Sequence, residues 1–69
     1  MFNSNVRELM GKKGKTIRDI AKETGIATGT IHRATHDETI GGCQLNSLGK
    51  IAKALGVKTK RLYEEVDDE

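Results

Sequence analysis

His32 and His36 stand four residues apart, a spacing at which two imidazoles share one face of a helix and can hold a metal ion. No Glu follows His32, as a zinc metalloprotease helix requires, and no third ligand is evident, so no metal site is expected. Cys43 is the only cysteine, which excludes an internal disulfide and a structural zinc cluster of four ligands. The chain carries no Ser-His-Asp arrangement, no phosphate-binding glycine loop and no GxGxxG motif. Its 69 residues are too few for a catalytic cleft of ordinary size. Neither an enzyme nor a cofactor nor a small-molecule effector is expected. The same stretch offers a different chemistry. Thr28 and Thr30 bring short hydroxyls, His32 an imidazole and Arg33 a planar fork of donors, while Gly29 leaves the backbone unobstructed. Such a set makes hydrogen bonds to a partner; it does not make or break covalent bonds.

Charge narrows the partner. The net charge is +2, but all 12 Lys and Arg lie between Arg7 and Arg61, whereas five of the 10 acids lie beyond Leu62. Residues 1–61 therefore carry 12 basic against 5 acidic side chains, a balance of +7, and the tail carries −5. A basic body favours a polyanion. Phe2 and Tyr63 are the only aromatic rings apart from the histidines, too few to stack the bases of a single strand. No apolar run approaches the roughly 20 residues of a membrane span. The start of the chain lacks the basic and apolar blocks of a secretory signal, so a cytoplasmic location is expected.

The elements that must position these side chains are helices. Proline is absent, and apolar residues recur at helical spacing, so the expected class is all-α. A first helix is predicted over about 5–13, with Asn3 or Ser4 as cap and Val6, Leu9 and Met10 inward. Thr16, followed three residues later by Asp19, predicts a capped start for a second helix over 17–24, its inner face Ile17, Ile20, Ala21 and Thr24. Gly25 then supplies the left-handed residue that ends it. A third helix, capped by Thr28, is predicted over 28–36 with Ile31 and Ala34 inward. Residues 37–43 read as a loop, 45–55 as a fourth helix closed by Gly56, and 60–66 as a short fifth helix capped by Thr59. Five short helices around one core make a single domain over 1–66, and the acidic residues 67–69 are expected to fray.

Two helices joined by a tight turn containing Gly are a helix-turn-helix. The stretch from Ile17 to His36 resembles that of the lambda-repressor and Cro-like (Xre-like) family at Ile20, Ala21, Gly25, Ile26, Ile31 and Ala34. The resemblance extends to Val6–Leu9 before it and Leu48–Val57 after it, the latter similar to the family's fourth helix. It implies a compact five-helix DNA-binding domain whose third helix enters the major groove. The front of that helix then reads bases through Thr28, Gly29, Thr30, His32 and Arg33, with Arg33 the candidate for a bidentate guanine contact. Phosphate contacts are expected from Lys15, Thr16, Ile17, Arg18, His36, Thr39, Gly41 and Gly42.

Three departures from the family pattern are visible. Ile17 stands where the family usually carries Gln, so only its amide can meet a phosphate. Asp37 and Glu38 stand where many relatives have Gly and a base; acids facing DNA are unfavourable, so the loop is expected to turn away or to bind in a different geometry. Met10 and Thr35 occupy places where relatives pair an Arg with a Glu. The implied partner is a double-stranded DNA operator, bound by a homodimer that forms in solution or only on DNA, with Val57, Leu62 and Tyr63 as candidates for dimer contact or core. The resemblance implies a transcriptional regulator of the repressor sort, such as a phage or prophage control protein. The other reading is a protein-interaction module, an antitoxin-like or adaptor domain that turns the same helices toward a protein.

Overall fold

The computed structural model describes residues 1–67. Its elements in order are β1 (Phe2–Ser4), α1 (Val6–Lys13), α2 (Ile17–Thr24), α3 (Thr28–Ala34), α4 (Asp37–Ile40), α5 (Leu45–Leu55), a 3-10 turn (Thr59–Leu62) and β2 (Tyr63–Glu65). The core joins Val6, Leu9 and Met10 of α1, Ile20 of α2, Ile31 and Ala34 of α3 and Ile40 of α4. Leu48, Ile51, Ala52 and Leu55 of α5, and Leu62 of the turn, complete it. Each fully buried large apolar side chain contributes about 1.5–3 kcal/mol relative to exposure.

Local chemistry sets the best-defined boundaries. Thr16 and Asp19 form a reciprocal capping box: the Asp19 amide donates to Thr16 Oγ1 (3.1 Å), and the Thr16 amide donates to Asp19 Oδ2 (2.9 Å). Gly25 has φ 75°, and its amide donates to the Ala21 carbonyl at 2.8 Å, closing α2 in the left-handed turn that places α3 across it. The Thr24 hydroxyl bonds back to the Ile20 carbonyl and accepts the Ile26 amide, so the turn leaves few free polar groups. Gly56 ends α5 with paired bonds, its own amide to Lys53 and the Val57 amide to Ala52, the pattern of a Schellman motif.

The capping box yields a pH-dependent expectation. The hydrogen bonds from the Thr16 backbone and side chain hold the Asp19 carboxyl below the usual carboxylate range. A depressed folded-state value means that the ionised form stabilises the fold at neutral pH. That stability is lost as pH falls below the ordinary carboxylate range and through the folded value. Thr16→Ala is expected to cost about 1 kcal/mol at neutral pH. Urea unfolding at pH 7 and near pH 3 should show the penalty shrinking in acid, where Asp19 is protonated. An equal penalty at both pH values would mean that the carboxylate does not take part.

Four expectations are corrected. The class is not purely α-helical, because β1 and β2 pair antiparallel in the register Phe2↔Glu65, Asn3↔Glu64, Ser4↔Tyr63. The expected helix over 60–66 is replaced by the 3-10 turn and β2, since the main chain there pairs with the start of the chain. The Asn5 amide bonds to the Leu62 carbonyl and the Val66 amide to the Met1 carbonyl, both at 2.8 Å, while the Phe2 and Tyr63 rings meet edge to face at 5.8 Å. The expected loop over 37–43 contains the four-residue α4, anchored by buried Ile40. Finally, α3 stops at Ala34, and Thr28 is its first helical residue, with Ala27 at the cap position. Leu62 is core, and Val57 and Tyr63 are half-buried against it, so these three serve the monomer's own packing. Of the residues expected to fray, Asp67 is exposed, and 68–69 lie outside the described residues.

Candidate nucleic-acid interface

The burial of Ile31 and Ala34 turns the opposite face of α3 outward. Thr28, Gly29, His32 and Arg33 are exposed, and Thr30 is half-exposed. No atom of another element would lie within 4 Å of a Cβ on Gly29, so packing does not require Gly there. The Arg33 side chain makes no ion pair or hydrogen bond among the described residues, and its five donors remain free.

His36 closes the C-terminal end of α3. The Thr35 hydroxyl donates to the His32 carbonyl at 2.6 Å and lies 2.9 Å from His36 Nδ1, which is 3.1 Å from the same carbonyl. Nδ1 bonds that carbonyl only when it carries the ring proton; with the proton on Nε2 it accepts from the Thr35 hydroxyl instead. The His36 ring packs on that of His32 at 4.5 Å. Among the described residues no group of three metal-ligating side chains gathers, there or elsewhere.

The residues expected to hold phosphate separate into two sets. At the start of α2, Thr16 and Arg18 are exposed, Ile17 is half-buried, and Arg18 has no ion-pair partner among the described residues. The Thr16 hydroxyl is engaged in the capping box, accepting the Asp19 amide and bonding to the Asp19 carboxyl. The others are engaged internally. The Lys15 ammonium donates to Glu23 at 2.8 Å and to the Ala54 carbonyl at 2.6 Å, tying α2 to the end of α5. The Thr39 hydroxyl donates to the Arg33 carbonyl at 2.6 Å, which uses its only proton. The Gly42 amide donates to the Thr39 carbonyl at 3.1 Å and is not available to a phosphate. Gly41 faces the Phe2 ring so closely that a Cβ would come within 3.1 Å of it, which gives this glycine a packing reason of its own.

Beside α3 runs an open groove of about 580 Å³. It is lined by Thr30 and Arg33 of α3, Glu38 and Thr39 of α4, Gly42 and Cys43 after it, and Gln44 and Ser47 at the start of α5. Part of the segment after α3, with Glu38, thus lies beside the reading helix. Asp37 is occupied elsewhere, accepting the Ser4 amide at 2.7 Å, whereas Glu38 lines the groove. Burial pushes the Cys43 thiol up, outweighing the opposing pull of nearby Arg33, so it stays protonated at neutral pH and donates weakly to the Thr39 carbonyl. Gln44 and Ser47 were missed by sequence reasoning. Gln44 stands at the cap position before α5 and Ser47 in its first turn, and no motif in the sequence marks them.

No helix of the described residues is long and apolar enough to cross a membrane. No curated protein and no solved structure shows significant similarity to the chain. Residues 5–68 match the family model described as the Cro/C1-type HTH DNA-binding domain. With its helix-turn-helix at α2 and α3 and a match over nearly its whole length, the chain belongs to the Cro/C1-type helix-turn-helix DNA-binding family.

Proposed function

We propose that the chain is a sequence-specific double-stranded DNA-binding regulator of transcription, acting as a repressor in the cytoplasm, with α3 in the major groove. Residues 1–66 serve as one binding domain. The observation that carries this reading is the outward face of α3, where Thr28, His32 and Arg33, the last without an ion pair among the described residues, are exposed over a helix fixed from behind by Ile31 and Ala34. Arg33 reads guanine, and Thr28, Thr30 and His32 supply shorter contacts. Thr16, the Ile17 amide and Arg18 hold the phosphate backbone beside it, joined by His36. Two copies on a two-fold operator place their α3 helices about 34 Å apart, one turn of the duplex.

A mobility-shift series with the full chain on duplex DNA, from about 50 to 200 mM salt, tests this reading. Binding is expected at low salt and should weaken steeply, with log K falling by about 0.9 per phosphate contact for each tenfold rise in salt. Absence of any shift at the lowest salt would sink the proposal.

A further inference from the structure

We infer that Glu38 is a specificity-determining residue of this interface, its carboxylate accepting the exocyclic amino group of a cytosine beside the guanine held by Arg33. This rests on the reading of α3 as a DNA reader. The neighbouring acids Asp37 and Glu38 have different surroundings. Asp37 Oδ1 takes the Ser4 amide at 2.7 Å and fastens β1 to α4. Glu38 is exposed, has no ion pair among the described residues, and lines the same groove as Arg33 and Thr30. Its place is set from the next residue, since the Thr39 hydroxyl is bonded to the Arg33 carbonyl and holds α4 against the end of α3.

The chemistry of the groove selects the partner. Thr30, Arg33, Gln44 and Ser47 all bring donors; Glu38 brings the only carboxylate there. A phosphate repels it, and so does the guanine edge, which presents only acceptors at O6 and N7. The adenine edge offers an amino group but sets the N7 acceptor beside it. Cytosine offers its N4 amino group without that neighbour, and is the base a carboxylate accepts from in the major groove. Arg33 seeks the opposite pattern, so an Arg and a Glu on one groove match a guanine and an adjacent cytosine. No ion pair within 4 Å joins the two side chains, which leaves both available.

The test is selection from a random duplex pool with the wild-type chain, Glu38→Gln and Arg33→Ala, alongside thermal melts. The wild type should enrich a cytosine next to a guanine whose enrichment depends on Arg33. Glu38→Gln should melt as the wild type does, keep the guanine and lose about tenfold of the cytosine preference. Two outcomes overturn the inference alone. One is cytosine enrichment that survives Glu38→Gln. The other is a variant that binds every sequence more tightly by a common factor, which would show that Glu38 only repels phosphates. A wild-type chain that selects nothing, and binds no duplex at low salt, would instead remove the DNA-reading proposal on which the inference stands.

Discussion

Leu62→Ala is expected to lower the stability of the fold by about 2–5 kcal/mol, the range for deleting a buried leucine side chain. Leu62 is 0% exposed and ends the 3-10 turn, and its carbonyl accepts the Asn5 amide at 2.8 Å. The side chain fills the core between the beginning and the end of the chain, and the backbone bond holds α1 to the turn. Domains shorter than about 70–80 residues draw rarely more than 3–5 kcal/mol from one core. A loss of this size therefore leaves the variant largely unfolded at 25 °C, with the loss of helical circular dichroism and a urea midpoint near zero. Leu45→Ala is the control. Leu45 is 69% exposed, and its replacement should change stability by less than about 0.5 kcal/mol. Equal, small losses in both variants would show that the end of the chain is not part of the cooperative core.

That contrast shows which parts of the fold were legible in the sequence. The bounds of α2 and α5 follow from groups within a few residues of each end: the Thr16–Asp19 box, Gly25 and Gly56. Such signals act locally and read directly from the chain. The segment from Thr59 onward has no comparable local constraint. Leu62 and Val66 are four apart and suit a helix, but pairing with Phe2–Ser4, about sixty residues away, favours a strand. A non-local pairing leaves little trace in a local pattern.

The site divides along the same line. Which residues of α3 face outward follows from the period of Ile31 and Ala34, and that face is where helical spacing places it. Which polar side chains remain free is a tertiary matter. Lys15 is engaged by the Ala54 carbonyl, 39 residues away, and Asp37 by the Ser4 amide, 33 residues away. A lysine near the turn and an acid after α3 carry no mark of these partners in the sequence. The groove beside α3 was hidden for the same reason, since part of its lining comes from Gln44 and Ser47 at the start of a later helix.

Arg33→Ala is expected to abolish base preference at one operator position while leaving the fold intact. The side chain is exposed and makes no contact that the fold uses, because the Thr39 hydroxyl bonds to the Arg33 main-chain carbonyl, which alanine retains. Alanine is also a better helix former than most residues, so the melting temperature should not fall. A bidentate guanine contact contributes about 1–3 kcal/mol of discrimination, roughly 5- to 150-fold between the preferred base and the others. The variant should therefore bind the selected operator that much more weakly and treat all four bases alike at that position. The salt series separates this role from its nearest rival. A base contact leaves the dependence on salt nearly unchanged when it is removed. A phosphate contact lowers the slope of log K against log salt by about 0.9 and weakens every sequence equally. A reduced slope with the base preference kept would move Arg33 from reading the operator to holding its backbone, and would shift the specificity of α3 onto Thr28, Thr30 and His32.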